Sequence, residues 1–363
     1  MSPRFRTSIL MLAVAIAFVA LAIVSAAGQA RPSTPAKPAA KTAPAAKTAP
    51  AAKTVTPPKT PWGDPDLQGI YVSDDLMDTS LERPAEFGER LYFTEDELAR
   101  AAAQLAKEAE ADLQEFVRPN ARVSTGPPGH WGERARRPPR QTSLIVDPPN
   151  GRMPPLTPEG QKRQAESAAR QTALSPQRPP ASWEDYDFYI RCITRGLAGS
   201  ILPSSYDNGT QIVQAPGYVT LLHEKVHEAR IIPLDKRPHV GQNVRSYLGD
   251  SRGHWEGNTL VVETTNFLDN RTGIGRNGNG IPTSDALRLV ERFTRVDINT
   301  MHYELTIDDP KIYTRPWKVA FPITQEPGYE LFEYTCHETN YGMTNSLSGA
   351  RAEERAAEAA KQK

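Results

Sequence analysis

Residues 211–233 run Gln211-Ile-Val-Gln-Ala-Pro-Gly-Tyr-Val-Thr-Leu-Leu-His-Glu-Lys-Val-His-Glu-Ala-Arg-Ile-Ile-Pro233, and the fold turns on whether this stretch is helix or strand. Inside it, His223-Glu224-Lys225-Val226-His227 satisfies H-E-x-x-H, the string of zinc hydrolases. That motif needs a helix, where residues four apart rise only about 6 Å and share a face, so that both imidazoles reach one ion. The flanks oppose a helix. Tyr218 to Leu222 and Arg230 to Pro233 are short β-branched and apolar runs, and Pro216-Gly217 is a turn signal ahead of them. In extended chain the two histidines stand about 13 Å apart and cannot share a metal. Arg230 also replaces the glycine of the metzincin continuation, and no third histidine follows. Extended backbone over 218–232 is the expectation, with no metal; a zinc hydrolase is the alternative.

On a strand, Glu224, Val226, Glu228 and Arg230 share one face, while Lys225 and His227 share the other. Glu224 and His227 are then candidate acid–base groups, with Arg230 holding substrate charge through its planar fork. The competing reading is a Glu–Arg ion pair that braces the sheet.

Outward from this stretch the pattern stays β. Gln211–Gln214 and Tyr218–Leu222 form a hairpin; Thr259–Thr265, Leu287–Val296, Met301–Ile307, Trp317–Ile323 and Tyr329–Cys336 follow as further strands. Asp250 to Trp255 reads as a polar turn, and the glycine-rich run Gly273–Gly280 as a loop able to cover a barrel mouth. Short strands at regular spacing without intervening helices predict a mainly β, antiparallel barrel or sandwich of calycin or lipocalin-like architecture. The predicted last strand carries Glu333, Cys336, His337 and Glu338. Together with Arg230, the residues Glu333, His337 and Glu338 are the candidate ligand-binding set.

Upstream, residues 1–30 read as a signal peptide: Arg4 and Arg6, an apolar run from Ile9 to Val24, then small residues. An uncleaved anchor is the alternative. Residues 31–60 are an Ala/Pro/Lys-rich spacer in which Lys41-Thr-Ala-Pro-Ala-Ala recurs at Lys47. Residues 61–180 look like an irregular wrap with two helices. One follows the capping box Thr94-Glu-Asp-Glu97 and the other starts at Thr157-Pro158. A short strand is expected at Ser143–Val146, the β domain over 181–350, and a charged helical tail over 351–363.

The chain has 363 residues, 43 Lys+Arg against 43 Asp+Glu, and 33 prolines, so the balanced charge argues against a nucleic-acid partner and the proline content for much loop. Cys192 and Cys336 are the only cysteines, and in an exported chain an even pair predicts one disulfide. No later segment is long and apolar enough to span a bilayer.

Several stretches resemble a large group of exported bacterial proteins. They are Pro65-Asp-Leu-Gln-Gly-Ile, Ser143-Leu-Ile-Val-Asp-Pro-Pro-Asn-Gly-Arg, His227-Glu-Ala-Arg-Ile-Ile-Pro-Leu-Asp, Gly249-Asp-Ser-Arg-Gly-His-Trp-Glu-Gly-Asn-Thr-Leu-Val-Val, Glu291-Arg-Phe-Thr-Arg-Val-Asp and Tyr334-Thr-Cys-His-Glu-Thr-Asn-Tyr. The resemblance covers about residues 62–351 and implies export and a β-rich domain, with no particular reaction. This chain departs from the group at Asn258, where Asp is usual, and at Lys236, where Gly is usual. The group also commonly lacks a histidine at the place of His223.

The signal-like start and the resemblance predict a periplasmic or secreted protein, and because small barrels enclose a cavity the strand pattern predicts that it takes a small organic molecule there without a cofactor. A lyase, isomerase or hydrolase working through Glu224 and His227 is the alternative enzyme class, and a structural envelope protein the remaining one.

Overall fold

The computed structural model describes residues 58–115, 135–172, 180–268, 273–275, 280–338 and 340–362. The expected signal peptide and most of the spacer lie outside the described residues. Two antiparallel sheets dominate. The first joins β1 (Gly69–Tyr71), β3 (Thr210–Ala215), β4 (Tyr218–His223) and β5 (Ala229–Pro233), in that order. The second runs β2 (Ile145–Asp147), β12 (Trp317–Thr324), β11 (Thr300–Asp308), β10 (Arg288–Arg295), β7 (Thr259–Thr265) and β6 (Asp250–Glu256). A short ribbon pairs β8 (Gly273–Ile274) with β9 (Ile281–Pro282).

Turn chemistry fixes the hairpins. Gly217 at φ 79° supplies the left-handed residue between the paired Ala215 and Tyr218, and Gly257 at φ 60° does the same between Glu256 and Thr259. Alternation then selects the buried face. Leu289, Glu291, Phe293 and Arg295 of β10 point inward with Met301, Tyr303, Leu305 and Ile307 of β11. Phe293, Tyr303 and Phe321 are wholly buried and pack ring on ring, with centroids 5.0 and 5.2 Å apart. Each such burial stabilises the fold by about 1.5–3 kcal/mol.

The strand ladders form two sheets rather than one closed barrel among the described residues. They meet at one side through an isolated bridge, where the Val72 amide donates to Thr324 (2.8 Å) and the Thr324 amide to Val72 (2.9 Å). Upstream, the expected irregular wrap supplies β1 and β2 to the two sheets as well as two helices. Helix α1 (Glu95–Glu115) is capped reciprocally, Thr94 N donating to Glu97 Oε2 at 2.7 Å and Glu97 N to Thr94 Oγ1 at 3.3 Å. Helix α2 (Pro158–Thr172) takes Thr157 as its cap, which accepts from Gly160 N at 3.1 Å. A single buried turn, α3 (Leu197–Ile201), precedes β3.

Three expectations need correction. Asp250–Trp255 is strand β6 and not a turn, because its inward positions Ser251 and Gly253 are small and hide the apolar alternation. Residues 329–336 form no strand; their chain is tied by side-chain bonds instead of a ladder. The terminal helix α4 spans Gly342–Lys361, starting nine positions before 351 and burying Ala350.

Candidate functional site

Extended backbone covers 218–223 and 229–233, as expected, but the middle of the H-E-x-x-H string breaks it. Lys225–His227 form a 3-10 turn with Val226 left-handed at φ 57°, and the turn closes by His223 N donating to Glu228 O at 2.8 Å. The expected alternation of faces therefore fails here. Glu224, Lys225 and Glu228 are all buried, irrespective of parity. His223 ends β4 and is 1% exposed; its Nδ1 bonds Thr210 Oγ1 at 3.0 Å. Burial, followed by the charges of Arg230 and Lys225, pushes this imidazole well below its usual pKa. The side chain of His227 lies outside the described residues. Among the described residues no group of three or more His, Cys, Asp or Glu stands in a metal-holding arrangement.

The side chains of Glu224, Lys225, Glu228 and Arg230 are all hydrogen-bonded within the scaffold. Glu224 accepts from Tyr329 Oη at 2.5 Å, Phe332 N at 3.0 Å and Gly209 N at 3.2 Å. Gly209 lies against this carboxylate: an added Cβ would stand 2.6 Å from it and would push the Glu224 side chain aside. Lys225 Nζ donates to Asn208 Oδ1 at 2.9 Å and to Leu202 O at 3.3 Å. Glu228 accepts from the hydroxyls of Thr194 and Ser200 and from Arg195 N at 3.1 Å, and burial raises its pKa. Arg230, on the inner face of β5, makes a bidentate pair with Glu291 of β10 at 2.6 and 2.9 Å, to which Tyr303 Oη adds a bond of 3.1 Å. This pair braces one sheet against the other. Its acid is Glu291, a residue that the sequence reading passed over, and not Glu224.

A cleft of about 710 Å³ lies beside the disulfide. Cys192 and Cys336 are bonded with their Cα atoms 5.7 Å apart, joining the segment before α3 to the coil after β12. Of the predicted binding residues, Glu333 lines this cleft with Cys336; Arg230 does not, and His337 and Glu338 are exposed outside its lining. The remaining walls come from Tyr186, Tyr189, Tyr334, Asp207 and Met343. Tyr189 Oη bonds both Tyr206 Oη and Tyr334 Oη, the latter at 2.6 Å. Arg195 backs this trio, its guanidinium carbon 4.0 Å from the Tyr189 ring centroid and Nη2 3.4 Å from Tyr206 Oη. Burial, with the nearby Glu224 charge, raises the pKa of Asp207. The hydroxyl of Tyr186, a residue only 8% exposed, has no hydrogen-bond partner among the described residues.

Sequence reading missed the tyrosines. The available signal was Trp183-Glu-Asp-Tyr-Asp-Phe-Tyr189, an aromatic and acidic concentration just ahead of Cys192. No family model, curated protein or solved structure matches the chain.

Proposed function

We propose that the protein is an exported binding protein for a small organic molecule, and that the ligand occupies the cleft beside the disulfide. One observation carries the reading. Tyr186, whose buried hydroxyl has no partner among the described residues, lines a cleft of about 710 Å³, and a buried polar group left unpaired costs about 1–3 kcal/mol unless something satisfies it. The volume falls in the range of small-molecule sites, and rings with a few polar groups are the usual lining. Asp207 and Glu333 are the charged groups in that lining, so the ligand is neutral or positively charged. Export rests on the signal-like residues 1–30 together with the disulfide, which persists in oxidising compartments. No helix among the described residues is long and apolar enough to cross a membrane. The bridge from Val72 to Thr324 supports the reading that the two sheets approach barrel closure, with the ligand outside the packed interior.

A thermal-shift screen of the purified full chain against extracellular metabolites tests this. A ligand found there binds Tyr186→Phe about tenfold more weakly, a loss near 1.4 kcal/mol, while the unfolding midpoint of the free protein does not fall. A ligand indifferent to both Tyr186→Phe and Glu333→Gln would place the site elsewhere.

A further inference from the structure

A second cleft, of about 440 Å³, opens between the end strands of the two sheets. Strands β5 and β6 each terminate their sheet, and among the described residues no ladder joins them. They pack closely at one end, where a Cβ added at Gly253 would stand 2.7 Å from Leu234 and 2.9 Å from Ile232. At the other end they part, and Ala229–Ile231 face Gly249–Ser251 across the cleft. The bonds from His223 N to Glu228 O (2.8 Å) and from Leu234 N to Gly217 O (2.9 Å) set the parity of the β4–β5 ladder. Ala229 and Ile231 therefore turn their main-chain groups away from β4, toward this opening.

Arg230 also lines the cleft. Both its terminal nitrogens are bound to Glu291, yet its Nε, in a residue 5% exposed, has no partner among the described residues. Its charge is matched by Glu291, and Asp250 on the opposite side is paired with His239 and Arg252. An anionic ligand would meet Glu228 and Asp250, while a cationic one would meet Arg230. A neutral molecule avoids both. It must accept from the Arg230 Nε–H and also satisfy main-chain donors and acceptors, which hydroxyl groups do because each both donates and accepts. Tyr247, 37% exposed, offers a ring face for the apolar side of such a molecule.

We infer that the cleft between β5 and β6 binds a neutral polyhydroxy compound, a sugar or polyol, through Arg230 Nε, the outward main-chain groups of Ala229 and Ile231, and the Tyr247 ring. The site is separate from the cleft beside the disulfide and stands whether or not that one is filled. Substituting Arg230 would break the buried pair, so the test uses the exposed Ser246 and Tyr247. Glucose, maltose and sorbitol are titrated calorimetrically into the full chain, with glucuronate and glucosamine as charged counterparts. The expected result is saturable binding of a neutral compound, about tenfold weaker in both Ser246→Trp and Tyr247→Ala, with each variant shown to be folded at the titration temperature by its unfolding midpoint. Absence of binding by all three neutral compounds at millimolar concentration overturns the inference. So does tighter binding of glucuronate or glucosamine, or neutral binding that neither substitution alters.

Discussion

Arg230 shows how a residue chosen for chemistry can belong to packing as well. Its guanidinium and the Glu291 carboxylate are 4% and 0% exposed, so each is tolerable only because the other is there. Glu291 holds the guanidinium charged against the opposing effect of burial, and burial beside Glu291 pushes the Tyr303 hydroxyl well above its usual pKa. Glu291→Gln is expected to destabilise the protein by about 3–5 kcal/mol in urea unfolding, because it leaves a buried cation uncompensated. The double change Arg230→Met with Glu291→Leu removes both charges and is expected to lie closer to the parent than either single change. Equal losses in the single and double variants would show that the pair's geometry, and not its charge balance, matters. His223 sets the acid limit. Its folded pKa is depressed, so the unfolded chain binds the extra proton, and stability present above the unfolded imidazole value of about 6.5 is lost as pH falls below it toward the folded value. His223→Gln, which cannot take that proton, is expected to flatten this part of the curve of unfolding free energy against pH.

At the scale of elements, the sequence was legible wherever turn chemistry and alternation agreed. The β3–β4 hairpin announces itself through Pro216-Gly217 between apolar runs, and α1 through a capping box that forms as read. Legibility ended where the inward positions stopped being apolar. Ser251 and Gly253 conceal β6, while Glu291 sits inward on β10 because a partner in a different sheet compensates it, and no local pattern shows that. Residues 329–336 were misread for the opposite reason: aromatic residues there resemble a strand, yet they anchor to Glu224 and wall the cleft. The 3-10 turn at Lys225–His227 was invisible because a valine at φ 57° is not what a sequence offers at a left-handed position. Lys236 occupies a similar position at φ 59°, on the surface after β5. The left-handed conformation costs a non-glycine residue about 1–2 kcal/mol, and glycine gives back part of that gain as backbone entropy. Lys236→Gly is therefore expected to stabilise by about 0.5 kcal/mol, seen as a higher urea midpoint at constant slope. A lower midpoint would mean that the lysine makes a compensating interaction in solution.

For the molecule as a whole, the disulfide links regions that the sheets leave loosely tied. Both sheets are complete without residues 329–338, and the coil carrying Cys336 is held to the body by Glu224, the tyrosine trio and the bond to Cys192 among its contacts. The covalent link spans 144 positions, so in the unfolded chain it closes a long loop and removes about 5 kcal/mol of chain entropy in the loop-closure picture. Replacing Cys192 and Cys336 together by serine is expected to lower the unfolding free energy by about that amount and to steepen the urea dependence, since the unlinked chain exposes more surface. The β spectrum should survive, because the core of Phe293, Tyr303, Phe321 and Trp317 does not involve the bridge. Ligand affinity should not survive intact, because Glu333 and Tyr334 line the cleft from the very coil that the bridge holds in place. Titration of the double-serine variant with a ligand of that cleft separates the two roles of the bond. Weaker binding with an intact β spectrum assigns it the shaping of the site, whereas unchanged affinity would leave it only the entropy of the unfolded chain and would remove the disulfide from the account of recognition.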